Sequence, residues 1–167
     1  MLKNALIFFI FIVSMNMLAQ ENLQENHQEN LQEKEIKSVI EIFFKGLHKG
    51  DSTLMKSTLH KNIKIQTTST NKQGKNVLQT ESKEALLTSI ANKKPTDIYL
   101  EKLLSFDIKI DGNLASVWTP YEFYFNGNFS HCGANSFQLF NNNGKWEIIF
   151  LVDMRRTENC QQVKEKK

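Results

Sequence analysis

What this 167-residue chain lacks narrows it first. No uncharged apolar run reaches the ~20 residues that a membrane-crossing helix requires. No dense stripe of lysine or arginine precedes the tail at Lys164, Lys166 and Lys167, so nucleic acid is not an expected partner. HExxH, a CxxC pair, a phosphate-cradling glycine loop and a GxSxG elbow are all missing, so the best-known catalytic patterns give no reaction to start from. His48 and His60 have no companion at ligand spacing, and neither a metal nor a cofactor is expected. Cysteine is scarce. Cys132 and Cys160 can pair in an oxidising compartment, but the sequence leaves open whether they meet.

The ends of the chain read as separate from its fold. Lys3 precedes an apolar stretch from Ala5 to Val13, followed by Ser14-Met15-Asn16-Met17-Leu18-Ala19. A positive start, a short apolar core and a small residue at the boundary are the layout of a secretory signal peptide over residues 1–19. Cleavage after Ala19 starts the mature chain at Gln20, leaves no membrane anchor and places the protein outside the cell or in the periplasm. No cysteine stands at the cut to carry a lipid. Losing Lys3 leaves 20 basic against 18 acidic side chains, a net charge of +2. Residues 20–34 repeat every four positions with only Leu23 and Leu31 as apolar members, a composition that favours a disordered linker. Residues 35–157 then form one domain of ordinary size, and residues 158–167 are a polar, basic tail.

Within the domain, helices come first and strands afterwards. Ile36, Val39, Ile40, Phe43, Phe44 and Leu47 follow the spacing of an amphipathic helix ending near Gly50. Asp51 or Ser52 caps a short second helix through Leu54 and Met55. Ile63 to Thr67 alternates as a strand that Val77 to Thr80 can return along. Ser82 opens a third helix, closed before Pro95. From Phe106 onward the chain is a meander, with turns at Asp111-Gly112, Asn126-Gly127-Asn128 and Asn142-Asn143-Gly144.

Register decides which side chains share a face, because a slip of one residue turns a whole strand over. A plain two-residue turn at Asn126-Gly127 pairs His131 with Glu122. A three-residue turn or a bulge instead gathers Ala115, Val117, Thr119, Tyr121 and Phe123 with His131, Gly133, Asn135, Phe137 and Leu139. Burying those large side chains is worth ~1.5–3 kcal/mol each, more than one exposed ion pair offers. The second register is therefore expected, with Trp146, Ile148, Phe150, Val152 and Met154 on the same inner face. Trp118, Tyr124, Phe140, Ile149 and Leu151 then form an apolar outer patch suited to a homodimer. Asp153, Arg155 and Cys132 also point outward in this reading.

Three helices enclosed by a strongly bent antiparallel sheet, an α+β arrangement, resemble the cone-shaped nuclear transport factor 2-like superfamily. Within it, Gly112 to Tyr121, Ser130-His131-Cys132-Gly133-Ala134-Asn135-Ser136-Phe137, and Gly144 to Ile148 leading to Asp153-Met154-Arg155-Arg156 are similar to the Putative lumazine-binding branch. The resemblance implies a conical pocket and often a dimer. The superfamily includes ketosteroid isomerases and SnoaL-like cyclases and dehydratases, so fold alone does not assign an activity.

A pocket is also what the residues favour. Polar groups on a buried strand face must find partners or line a cavity. The expected ligand-binding set is Thr119, Tyr121, His131, Asn135, Trp146 and Arg156, walled by Phe43, Leu47, Phe106, Val117 and Phe137. The ligand is a small organic molecule, bound rather than transformed. The alternative is an isomerase-, dehydratase- or cyclase-like enzyme in which His131 is the acid or base while Tyr121 and Asn135 polarise a carbonyl. His131 is equally able to be a structural histidine bonded to Tyr121 or Asn135. A carboxylate base of the ketosteroid isomerase kind finds no support, since the inner-face residues include no Asp or Glu.

Overall fold

The computed structural model describes residues 30–160. The expected signal peptide, most of the polar repeat and the last seven residues lie outside that range. Helix α1 covers residues 30–49, so it already includes residues 30–34, which the repeat pattern assigned to the linker. Leu31, Gln32, Glu33 and Lys34 are good helix formers, and a helix once nucleated extends through such residues at little cost.

The helix buries Ile36, Ile40, Phe43 and Phe44. After it comes α2 (Ser52–Lys56), capped by Asp51, whose carboxylate accepts from Leu54 N–H at 2.8 Å. α3 (Lys83–Ala91) is capped by Ser82, whose Oγ accepts from Ala85 N–H. These caps satisfy first-turn amides that have no partner within the helix.

Among the described residues seven strands form one sheet: β1 (Leu59–Thr70), β2 (Asn76–Glu81), β3 (Tyr99–Leu103), β4 (Asp107–Asp111), β5 (Leu114–Phe125), β6 (Asn128–Asn142) and β7 (Lys145–Arg156). The spatial order is β2-β1-β7-β6-β5-β3, with β4 also on β5. The class is α+β, as expected, with an unclosed, curved sheet. These pairings are antiparallel except that of β1 with β7, which is parallel.

The β5–β6 register is the expected one. Asn126 and Gly127 both have positive φ (51° and 79°) in a two-residue turn joining Phe125 to Asn128. A bulge at Ser130 then shifts the ladder, so Phe123 rather than Glu122 faces His131. Val117 opposes Phe137 and Thr119 opposes Asn135. Their shared face packs on the helices: Phe43 and Phe44 place their rings edge-on to Phe137 at 6.0 and 6.1 Å.

β7 departs from the expected pattern. A second bulge lets Gln138 pair with Phe150 but Leu139 with Ile148, leaving Ile149 as the extra residue. Bulges bend the strand, and the extra residue reverses the parity of the strand beyond it. Trp146 and Ile148 stay inside, but past the bulge Leu151, Asp153 and Arg155 take the inner places, opposite Phe137, Asn135 and Gly133. Phe150, Val152, Met154 and Arg156 turn to the outer side. Leu151, expected outside, is 7% exposed and belongs to the core.

Candidate functional site

The bulge in β7 creates the site by bringing an acid and a base onto the polar end of the inner face. Asp153 is buried and accepts three side-chain hydrogen bonds. Thr67 Oγ1 donates to Oδ1 at 2.6 Å, while Tyr121 Oη and Arg155 Nε donate to Oδ2 at 3.2 and 2.6 Å. The aspartate thereby ties β1, β5 and β7 together. Its pairing with Arg155 is charge-assisted and is the strongest kind of contact in the cluster. The guanidinium is about half exposed.

A second carboxyl stands beside the first. Glu101 lies on β3, in register with Phe123 of β5. Asn135 Nδ2 donates to Glu101 Oε1 at 2.8 Å, and the Glu101 backbone N–H donates to His48 Nε2 of α1 at 2.9 Å. Among the described residues Glu101 Oε2 has no hydrogen-bond partner. Burial pushes the Glu101 carboxyl up to about 7 and the negative charge of Asp153 adds to the rise, while the Asn135 hydrogen bond and Arg155 oppose it. Two carboxyls sharing one desolvated site do not both ionise readily.

The expected site residues divide accordingly. Tyr121, His131 and Asn135 come together at this cluster. Tyr121 is fully buried, and burial followed by the nearby charges of Asp153 and Glu101 holds its phenol well above the ordinary range. Burial, then the charge of Arg155, lowers the pKa of His131. Its ring stacks on Phe123 at 4.8 Å, meets Tyr121 edge-on at 5.8 Å, and places Nδ1 3.1 Å from Ser130 Oγ. Thr119 is fully buried opposite Asn135, with only a long 3.5 Å contact to Pro120 O.

Two of the expected residues lie elsewhere. Arg156 follows the bulge to the outer face, where Nη1 touches Met154 Sδ at 3.5 Å, and Arg155 takes the inner position instead. Trp146 is packed in the hydrophobic core with Phe43, Val117 and Phe137, and its indole N–H has no acceptor among the described residues. Of the five expected wall residues, Phe43, Val117 and Phe137 belong with Trp146 to the buried core, and Leu47 and Phe106 lie at its margin.

Glu101, Asp153, Arg155, Thr67 and His48 were not in the expected set. The available signal for Glu101 was a short alternation, Tyr99-x-Glu101-x-Leu103, which sets one carboxylate between two apolar residues.

Gly133 explains how Tyr121 fits. A Cβ at this position would overlap the Met154 carbonyl oxygen and stand 2.9 Å from the Tyr121 ring. Next to it, Cys132 bonds Cys160, with the two Cα atoms 5.7 Å apart. The disulfide fastens the end of the described chain to β6 beside His131. A crosslink of this separation is typically worth about 2–4 kcal/mol.

A separate open groove of about 440 Å³ is lined by Thr68, Ser69, Thr70, Asn76, Val77, Leu78 and Met154. It contains no charged side chain and no member of the polar cluster.

Comparison with known proteins agrees with this architecture. Residues 31–151 match the model of the family described as Putative lumazine-binding. The chain belongs to that family. No curated protein matches it. A nuclear transport factor 2-like protein of unknown function from Shewanella baltica is 19% identical, with a TM-score of 0.56 over 75% of this chain and 94% of that one. The beta subunit of a putative aromatic-ring-hydroxylating dioxygenase from Novosphingobium aromaticivorans is 12% identical, with a TM-score of 0.64 over 81% of this chain and 95% of that one. A putative dehydratase from Streptomyces avermitilis is 9% identical, with a TM-score of 0.56 over 77% and 98%. At these identities the likeness is one of fold, and the Putative lumazine-binding domain here has a nuclear transport factor 2-like fold.

Proposed function

We propose that this chain is an exported protein that binds a small organic molecule at the Glu101–Asn135–Asp153 cluster without transforming it. The observation that carries this reading is a set of buried, mutually bonded polar side chains beside an aromatic and aliphatic core. Apolar walls with a few fixed polar groups are the usual make-up of a ligand site. The signal-peptide pattern and the Cys132–Cys160 bond support export.

Binding is favoured over the proton-transfer scheme built on His131. In that scheme Tyr121 and Asn135 polarise a carbonyl, yet Tyr121 Oη already donates to Asp153 and Asn135 Nδ2 to Glu101. Freeing Asn135 would leave Glu101 Oε1 without its donor, at ~1–3 kcal/mol, and freeing Tyr121 would take from Asp153 Oδ2 one of its two donors. Glu101 does supply the inward carboxyl that the sequence pattern had not provided, so the enzyme reading keeps a candidate base.

Native mass spectrometry of protein recovered from its own culture tests the proposal. The wild-type chain should carry a bound small molecule, and a Glu101→Ala, Asn135→Ala double variant should lose it. A wild-type chain that is ligand-free under gentle conditions would count against binding.

We also propose a homodimer through the outer sheet face, where Trp118 is 51% and Leu100 47% exposed and where Phe150, Val152 and Met154 join them. Trp118→Glu should convert the dimer to monomer in sedimentation experiments. An unchanged dimer would move the interface away from this face.

A further inference from the structure

We propose that Glu101 and Asn135 form a recognition edge for a neutral lactam or cyclic imide. This rests on the small-molecule reading above and names the chemical class of the ligand. The Asn135 amide fixes Glu101 Oε1 as an acceptor, so a proton on this carboxyl resides on Oε2, the oxygen without a partner among the described residues. The result is a donor and an acceptor side by side: Oε2–H can donate, and the second lone pair of Oε1 can accept. A ring lactam presents the complementary pair, an acceptor carbonyl next to a donor N–H. The backbone of Glu101 is held by His48, which fixes the edge in place. Phe123, in register with Glu101 and stacked on His131, supplies an aromatic neighbour for a planar ring.

The groups facing Glu101 favour the neutral acid that this edge requires. Asp153 on β7 repels a second negative charge, and Tyr121 on β5 is held in its neutral form. Burial lowers the pKa of both His48 on α1 and His131 on β6, so neither supplies a fixed positive charge near neutral pH. Arg155 on β7 is the opposing charge, and its Nε is committed to Asp153.

Because only the protonated carboxyl offers the donor, a neutral lactam should bind with constant affinity below the Glu101 titration. Above it, affinity should fall about tenfold per pH unit, since the competent fraction falls that fast.

The test measures binding of 2-quinolone and uracil to the full mature chain by ligand-observed NMR. Both are neutral from about pH 5.5 to about pH 8.5, the range over which the linkage is read. Wild type should bind at the low end and lose affinity through the upper end. Glu101→Gln, whose amide presents the same donor and acceptor without a titrating proton, should bind at both ends alike. Glu101→Ala should bind at least tenfold more weakly than wild type at the low end, the effect of losing at least one well-placed hydrogen bond of ~1.4 kcal/mol, and should show no pH break. His131→Ala should leave the position of the pH break unchanged.

Failure of wild type to bind either probe at the low end overturns the lactam assignment. So does an affinity that rises with pH, or a Glu101→Gln variant as weak as Glu101→Ala. A non-lactam molecule retained in native mass spectra would leave the small-molecule reading standing while this one fails.

Discussion

Asp153→Ala should destabilise the protein by roughly 3 kcal/mol, because it removes the acceptor for the buried Tyr121 hydroxyl and the part-buried Thr67 hydroxyl, at ~1–3 kcal/mol for a buried group left unpaired. Thr67 and Tyr121 would lose their partner, and Arg155 would keep a charge with no counter-ion. Arg155 is half exposed, so water can replace most of what it loses. Urea denaturation checks the size of the effect, and a double-mutant cycle checks its cause. Tyr121→Phe should cost clearly less in the Asp153→Ala background than in wild type, since the hydroxyl is already unpaired there. Equal costs in both backgrounds would mean that the bond to Asp153 contributes nothing. The same substitution should move Glu101 back toward the ordinary carboxylate range, because the Asp153 charge is one of the causes that raise it.

Glu101 should make stability fall as pH rises from about 4.5 to about 7. Its folded-state pKa, about 7, lies above the ordinary glutamate value of 4.5, so between those values the folded chain holds more of this proton than the unfolded chain. Stability must then decline with pH in that window and level off above it. At ~1.36 kcal/mol per unit, the whole decline amounts to roughly 3 kcal/mol. Glu101→Gln removes the ionisation, so the variant should match wild type at the acid end and exceed it by up to that amount above neutral pH. Denaturation curves for both proteins at several pH values measure the gap. A gap that does not change with pH would show that Glu101 ionises normally in the folded state.

How much of this was legible in the sequence depended on how much parity each strand carried. β5 and β6 alternate clearly, and the cost of exposing Val117, Phe123 and Phe137 was enough to choose the bulged register over an attractive Glu122–His131 pair. β7 carries almost no such information. From Ile148 to Val152 every residue is apolar, so either face looks buried and a bulge leaves no trace in the pattern. What places the bulge is tertiary: β7 is an interior strand, paired to β6 on one side and parallel to β1 on the other, and the β1 ladder also shifts between Leu59 and Lys64. That single residue reversed Asp153, Arg155 and Arg156 and with them half of the site.

β3 was lost for a different reason. The alternation of Tyr99, Glu101 and Leu103 runs over only five residues, with Leu100 on the opposite face, too short and mixed a pattern to mark a strand. Glu101 therefore had no assigned face. His48 looked like a helix-end residue because its partner, the Glu101 backbone amide, lies on that unrecognised strand. Tyr121, His131 and Asn135, on strands that did alternate, lie at the same end of the inner face.

If the inner polar cluster, rather than any outer feature, holds the ligand, a crystal structure of the protein with its retained molecule will show it most directly. Density should lie against Glu101, Asn135 and Tyr121, beside the stacked rings of Phe123 and His131. Density instead in the uncharged groove between Thr68, Leu78 and Met154, with the inner cluster unchanged, would refute that assignment.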